Sequence, residues 1–351
     1  MLERVDYRET PLPAAQDWQP SAAPRAAAPA VRDRKALYRE FSASEKTLPI
    51  FSRAWWLDAS AGAEHWDVAL VENNGRVIAA LPYAIERRLG LTLLTLPPFT
   101  KMLGPWLRES SAKYAKRLSQ QKDLMEALID QLPAYDHFDQ NWHYSQTNWL
   151  PFYWRGFRET TRYTYLLEDL GDMDKVVAGF ENSKRANIRK AVERGIEVVY
   201  DIPARTFYEH HCLTLAKKGA KIAYGWEEFR RIHDACYAHG AGRTIAAYDR
   251  HGNLHAALFV IWDEMSAYAL ICAIDPDYLT HGAASLLNQQ IIAYVADKTR
   301  RFDFEGSMIE SVERSFRQYG AVQTPYFAVS RTPSRLLKTF LFLRDLKAGT
   351  P

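Results

Sequence analysis

The segment Phe302-Asp303-Phe304-Glu305-Gly306-Ser307 sets two carboxylates two residues apart. On a β-strand that spacing puts Asp303 and Glu305 on one face and Phe302 and Phe304 on the other. Two like charges this close raise one pKa toward useful basicity, as removal of a proton from an attacking amine requires. The same pair could instead grip backbone N–H groups, or an arginine such as Arg314 or Arg317. A second candidate is 183–194, where Lys184, Arg185, Arg189, Lys190 and Arg194 stand against Glu193. Ile188, Ala191 and Val192 give that segment the apolar face of a helix. Beside a groove it could hold the phosphates of a carrier, a nucleotide-linked acceptor or tRNA; alone it is a solvated face. Lys184 and Arg185, earliest in the helix, are the first choices. Tyr268, in the predicted strand 267–273, has a phenolic proton to give, or simply packs. His281-Gly282-Ala283-Ala284-Ser285 opens a predicted helix whose leading N–H groups could receive an anion, with His281 as a contact or merely a cap.

Other chemistries find little support. His210 and His211 are adjacent and would splay apart on a helix, and neither HExxH nor HxH occurs, so no metal is expected. There is no GxSxG elbow and no GxxxxGK[ST] loop. Cys212, Cys236 and Cys272 show no CxxC spacing, which fits a reducing compartment. Forty-five Lys and Arg against 42 Asp and Glu leave a charge of only +3, so DNA is not an expected partner. No apolar run approaches the length of a membrane span, and Leu2-Glu3-Arg4 is no signal-peptide start. The expected location is the cytoplasm, with peripheral contact at the inner membrane left open.

The elements that must position these residues fall into two sets. Residues 1–34 are rich in Ala and Pro and read as a disordered tail. A helical pattern over 48–61 precedes a hairpin, 66–71 and 77–82, turned at Asn74-Gly75. A strand at 91–96 and a helix at 113–131 follow. Then come a strand at 160–167, helices around 172–194, a strand at 196–200, and helices near 204–218 and 226–239. A second hairpin, 243–248 and 254–262, continues into 267–273, a helix from 281, a strand at 301–304, a helix at 309–319 and a last strand at 324–329. Both sets run helices, hairpin, strand, helix, strand, which predicts two copies of one α/β unit around a mixed sheet, divided as 35–157 and 158–345. Lys101-Met102-Leu103-Gly104-Pro105-Trp106 is expected to line the groove between them, and the aromatic run 148–154 to pack there.

Four segments carry a resemblance. They are Asn182 to Ala191 with Gly195, Ala256-Ala257-Leu258-Phe259-Val260 followed by Tyr268, His281 to Leu287, and Phe302 to Ser307. In this order and spacing the second half resembles the GNAT acyltransferase superfamily, specifically its FemAB-like branch with two GNAT-type domains in tandem. The resemblance implies an N-acyltransferase, in which Glu305 or Asp303 helps deprotonate an amine and Tyr268 protonates the leaving thiolate. It places the phosphates of acyl-CoA at 281–285, although that loop departs from Q/R-x-x-G-x-G/A. The acceptor would be a small-molecule or envelope-precursor amine, in envelope or secondary-metabolite assembly. The FemAB branch also implies aminoacyl-tRNA as donor; the lack of a heptad arm favours an acyl thioester. A non-catalytic binding protein on a degenerate GNAT fold is the rival reading.

Overall fold

The computed structural model describes residues 33–306 and 308–348. All of the predicted tail before Asp33, and Ser307 of the carboxylate motif, lie outside the described residues.

The first set of elements comprises α1 (Arg34–Ser44), α2 (Ala54–Ala61), β1 (Trp66–Asn73), β2 (Arg76–Arg88), β3 (Leu91–Thr95), β4 (Trp106–Leu107), α3 (Tyr114–Ile129), β5 (His137–Asn141), α4 (Leu150–Trp154) and β6 (Arg158–Leu167). The second comprises α5 (Met173–Ala178), α6 (Asn182–Glu193), β7 (Glu197–Tyr200), α7 (Ala204–Lys217), α8 (Trp226–Ala238), β8 (Gly242–Tyr248), β9 (Leu254–Trp262), β10 (Ser266–Ile274), α9 (Ala283–Val295), β11 (Arg301–Asp303), α10 (Glu310–Arg317), β12 (Val322–Arg331) and α11 (Arg335–Ala348). Asn74 and Gly75 turn the first hairpin with φ of 51° and 77°, the left-handed backbone a tight turn requires. The predicted elements are present. The pattern missed α1, the short β4, β5 and α11, and the aromatic run 148–154 contains α4.

One mixed sheet runs through both sets in the order β1-β2-β3-β5-β12-β6-β11-β10-β9-β8-β7. In each half an antiparallel run ends in a helical crossover to a parallel strand: β3 through α3 to β5, and β10 through α9 to β11. The last strands are exchanged, so β6 of the first half pairs with β11, and β12 of the second pairs with β5. β6 and β12 pair with each other, antiparallel, at the centre. Phe138-Asp139 on β5 and Phe302-Asp303 on β11 occupy corresponding places, and both phenylalanines are fully buried. The predicted repeat is therefore written in the chain at its two crossover strands.

One core spans the halves. Phe51 lies 4.9 Å from Tyr268, ring to ring, and the Asp263 carboxylate accepts from the backbone N–H groups of Ile50, Met265 and Ser266 at 2.8–2.9 Å. Across the sheet, α6 and α9 pack on β8–β10 in a second cluster that holds Phe302 and Phe304. There α9 begins at Gly282, whose φ is 85°. A Cβ at Gly282 would sit 2.0 Å from the Asn187 carbonyl oxygen of α6. Gly282→Ala combines that clash with left-handed strain and should cost about 2 kcal/mol or more in urea unfolding at unchanged m value. A cost below about 0.5 kcal/mol would mean that α6 and α9 are not held this closely.

Candidate active site

β10 and β11 pair only at Ser266–Arg301, Ala267–Phe302 and Tyr268–Asp303. β11 then ends, while β10 carries one extra residue against β9 between Tyr268 and Ile271. The two parallel strands thus part beside Asp303, and a bulge re-aims β10 at the same level. Asp303 is fully buried. Its Oδ1 accepts from the Thr164 hydroxyl and, at 2.8 Å, from the Glu305 backbone N–H. The site needs Gly306: any Cβ would drive into the Tyr163 carbonyl 1.8 Å away, and the Gly306 N–H donates to Thr164 Oγ1 at 2.9 Å.

Strand alternation accounts for only part of the carboxylate pair. Phe302 and Phe304 do pack together on the far face, rings 5.0 Å apart. The strand, however, stops at Asp303, and Glu305 has a left-handed backbone (φ 52°), so it reaches the pair from a turn and not from the strand predicted over 301–304. A non-glycine residue held there stores of order 1 kcal/mol of strain, a cost that clusters at functional sites. Lys101 of the first half reaches Glu305 Oε2 at 3.1 Å, with its own side chain half exposed. Neither Arg314 nor Arg317 takes that part.

Each acid keeps one buried oxygen without a hydrogen-bond partner, Asp303 Oδ2 and Glu305 Oε1. Burial pushes Asp303 up to about 7, against the pull of the Thr164 and Glu305 N–H bonds and of Lys101. Burial likewise raises Glu305, to about 8, with Lys101 opposing and the Asp303 carboxyl adding to the rise. Tyr326 of β12, bonded by Arg162, carries a phenol raised by burial and by both acids.

Tyr268 stands at the fork but is buried, its hydroxyl sharing a hydrogen bond with His143 Nε2 at 3.2 Å. Burial, then the charge of Arg301, pushes His143 down to about 3, so it is a neutral imidazole. Tyr144 meets Ser266 at 2.6 Å. Sequence reading passed over His143, Tyr144, Thr164 and Tyr326, and it had Lys101 only as a groove residue. None of them belongs to a motif; the long-range strand exchange brings Thr164 and Tyr326 in.

The other candidates lie at the start of α9 and on α6, beyond the sheet from Asp303. Gly282 caps α9 through its carbonyl, which accepts from the Ser285 and Leu286 N–H groups. Ala283 and Ser285 are buried, and Ser285 bonds the Tyr319 hydroxyl. His281 packs beside His255 and Tyr278 and is pushed down by burial, then by Arg194 and nearby charges including Lys190. Lys184 is buried, donating to Ser315 at 2.9 Å above the Tyr319 ring, and burial lowers its pKa. Arg185 donates to the Ala178 carbonyl and to Asn182 of its own helix. Among the described residues no cluster of three or more His, Cys, Asp or Glu could hold a metal ion.

A hairpin-fed parallel strand pair, present in duplicate and parting in the second half beside buried acids, defines a GNAT-type fold in tandem. Residues 178–336 match the acetyltransferase (GNAT) domain, the superfamily that the four motif segments implied. FemX shares the fold with a TM-score of 0.65 at 12% identity, over 88% of this chain and 97% of that one. L-PGS from Bacillus licheniformis follows at 0.52 and 12%, over 90% and 96%. The C-terminal domain of a putative lysylphosphatidylglycerol synthetase from Agrobacterium fabrum stands at 0.51 and 10%, over 89% and 97%. At these identities the likeness is one of fold. No curated protein matches the chain.

The raised acids fix a pH dependence. A carboxyl whose folded pKa exceeds its unfolded value near 4 favours the native state at low pH, and that contribution is lost as pH rises through the folded value. Asp303→Asn removes the buried charge, so it should gain about 2 kcal/mol over the natural chain at pH 8 and nothing at pH 4 in urea titrations. Equal differences at both pH values would show that folding leaves the Asp303 pKa unraised.

Proposed function

We propose that the chain is an N-acyltransferase, moving an acyl group from an acyl thioester such as acyl-CoA to an amine, with the carboxylate pair as base. One observation carries this reading: two adjacent buried acids with an unpartnered oxygen each, titrating near neutrality where two strands part. An ammonium meets both free oxygens, gives up a proton to the pair, and attacks the acyl carbonyl as the free amine. The N–C bond forms, the C–S bond breaks, and the thiolate leaves with a proton for which Tyr268, at the fork, is the candidate donor, the second proton shed by the nitrogen restoring that phenol. In this reading backbone N–H groups at the β10 bulge receive the oxyanion. Carrier phosphates go to the start of α9 at 281–285. In this reading Lys190 and Arg194, whose charge already reaches His281, supply the positive field, and Lys184 and Arg185 position α6. The division expected at 157/158 would give β6 to the second half, but β6 matches β12 in its place in the sheet, so in this reading the first repeat runs through β6, 35–167, and roofs the second, 168–345, through Lys101, His143 and Tyr144. The acceptor is an amine of a small molecule or an envelope precursor.

A second reading has aminoacyl-tRNA as donor, favoured by the FemX likeness along 97% of that chain. Melting curves separate the two. A donor at about a hundred times its dissociation constant adds about 2.7 kcal/mol. Stabilisation by acetyl-CoA or a longer acyl-CoA supports the thioester. Stabilisation by aminoacyl-tRNA alone supports the second reading, and none by either leaves a binding module. With the donor in hand, Glu305→Gln should lower kcat by about 10²–10⁴-fold and abolish the limb of the pH–rate profile that rises through about 7–8. Unchanged kcat would remove Glu305 from the chemistry.

A further inference from the structure

The first repeat carries its Phe-Asp pair into a different setting. Asp139, the counterpart of Asp303, lines a cleft of about 540 Å³ closed on one side by α11. Arg158, Arg331, Lys338 and Arg344 line the same cleft. Asp139 is the lone acid among the residues that line this cleft; burial pushes its carboxyl up and the His137 imidazole down. Arg158 and Lys338 are exposed, and among the described residues no side chain pairs with either. Arg331 reaches the Tyr135 hydroxyl at 3.2 Å and lies over the Phe157 ring.

α11 carries the second observation. Leu336, Phe340 and Leu343 fall at i, i+4 and i+7, one stripe of the helix. They are 86%, 64% and 52% exposed, and Phe342 is 62% exposed. α4, which ends two residues before the cleft residue Gly156, adds exposed Tyr153 and Trp154. A cationic cleft alone would suit a nucleic-acid backbone. Leucine and phenylalanine in an outward row, with Tyr and Trp beside basic residues, match instead the acyl boundary and headgroup layer of a bilayer.

We propose that α11, α4 and the basic cleft form a docking surface for an anionic membrane. The apolar stripe enters the acyl boundary, and Arg158, Lys338, Arg331 and Arg344 lie at headgroup height. No helix among the described residues is long and apolar enough to cross a membrane, so the contact is peripheral. The inference is independent of the acyl-transfer reading, since it uses none of that site's residues.

Co-sedimentation of the full chain with phosphatidylcholine vesicles, with and without a third of phosphatidylglycerol, tests it. The natural chain should pellet with the anionic vesicles and stay in solution with the neutral ones, its binding falling steeply between 50 and 500 mM salt. A triple variant, Leu336→Ser, Phe340→Ser and Leu343→Ser, and a double variant, Arg158→Ala and Lys338→Ala, should each weaken partitioning at least tenfold while melting like the natural chain. Should the triple variant fail to fold, the double variant decides alone. The proposal is overturned if the natural chain ignores anionic vesicles, or if the variants bind as it does. It is equally overturned if light scattering shows a dimer that the triple variant dissolves, or if bulk tRNA, and not lipid, is the ligand lost in the double variant.

Discussion

The antiparallel pairing of β6 with β12, running from Leu166–Val322 to Arg158–Ser330, is the constraint on which the rest depends. Each strand belongs by sequence to one half and by hydrogen bonding also to the other. Were each half to keep its own last strand, two small sheets with facing edges would result, and edges invite unwanted pairing. Exchange removes those edges and makes one sheet from two repeats. It also builds the candidate site, because Thr164 arrives beside Asp303 on β6 and Tyr326 follows on β12, the next strand over. A site assembled this way cannot form in the second repeat alone.

The same arrangement sets a local conflict. Asp303 and Glu305 are drawn out of water with Lys101 as their counter-charge among the described residues, and Lys101 is half in solvent. Burying carboxylates without full compensation is costly, and the cost is met by keeping protons into the neutral range. Glu305 adds a left-handed backbone, and Gly306 a contact no side chain would permit. A chain whose strands, turns and core otherwise agree with one another breaks these rules together at one point. Such concentrated violations are expected where chemistry, and not stability, sets the residues.

What the sequence made legible followed from local physics. Asn74-Gly75 determines a hairpin whatever surrounds it, and the helical and alternating periods marked most elements within a few residues. The acids were legible as a pair, and their far-face phenylalanines as core. Their geometry was not, because nothing in Phe-Asp-Phe-Glu-Gly announces that the strand ends one residue after Phe302. Lys101 sits some two hundred residues from Glu305, so only the folded chain joins them. Lys184 looked like a surface charge by type, yet Ser315 and the Tyr319 ring give its ammonium partners that permit burial. The two Phe-Asp pairs are the repeat's clearest trace, too short to stand out against slight identity elsewhere.

Duplication followed by divergence then has a physical reading at those two aspartates. At Asp303 the neighbours are Thr164, Glu305 and one distant lysine, so the acid is left with an open oxygen and a raised pKa. At Asp139 the corresponding strand end is ringed by Arg158, Arg331, Lys338 and Arg344, which makes the place cationic. One repeat thus keeps the acid as the dominant charge, and the other sets it among bases in an open cleft. β12 links them directly: from Tyr326 to Arg331 it advances five residues, about 16 Å along a rigid central strand. Both places are held in a single sheet, so their separation is set by a strand and not by a hinge.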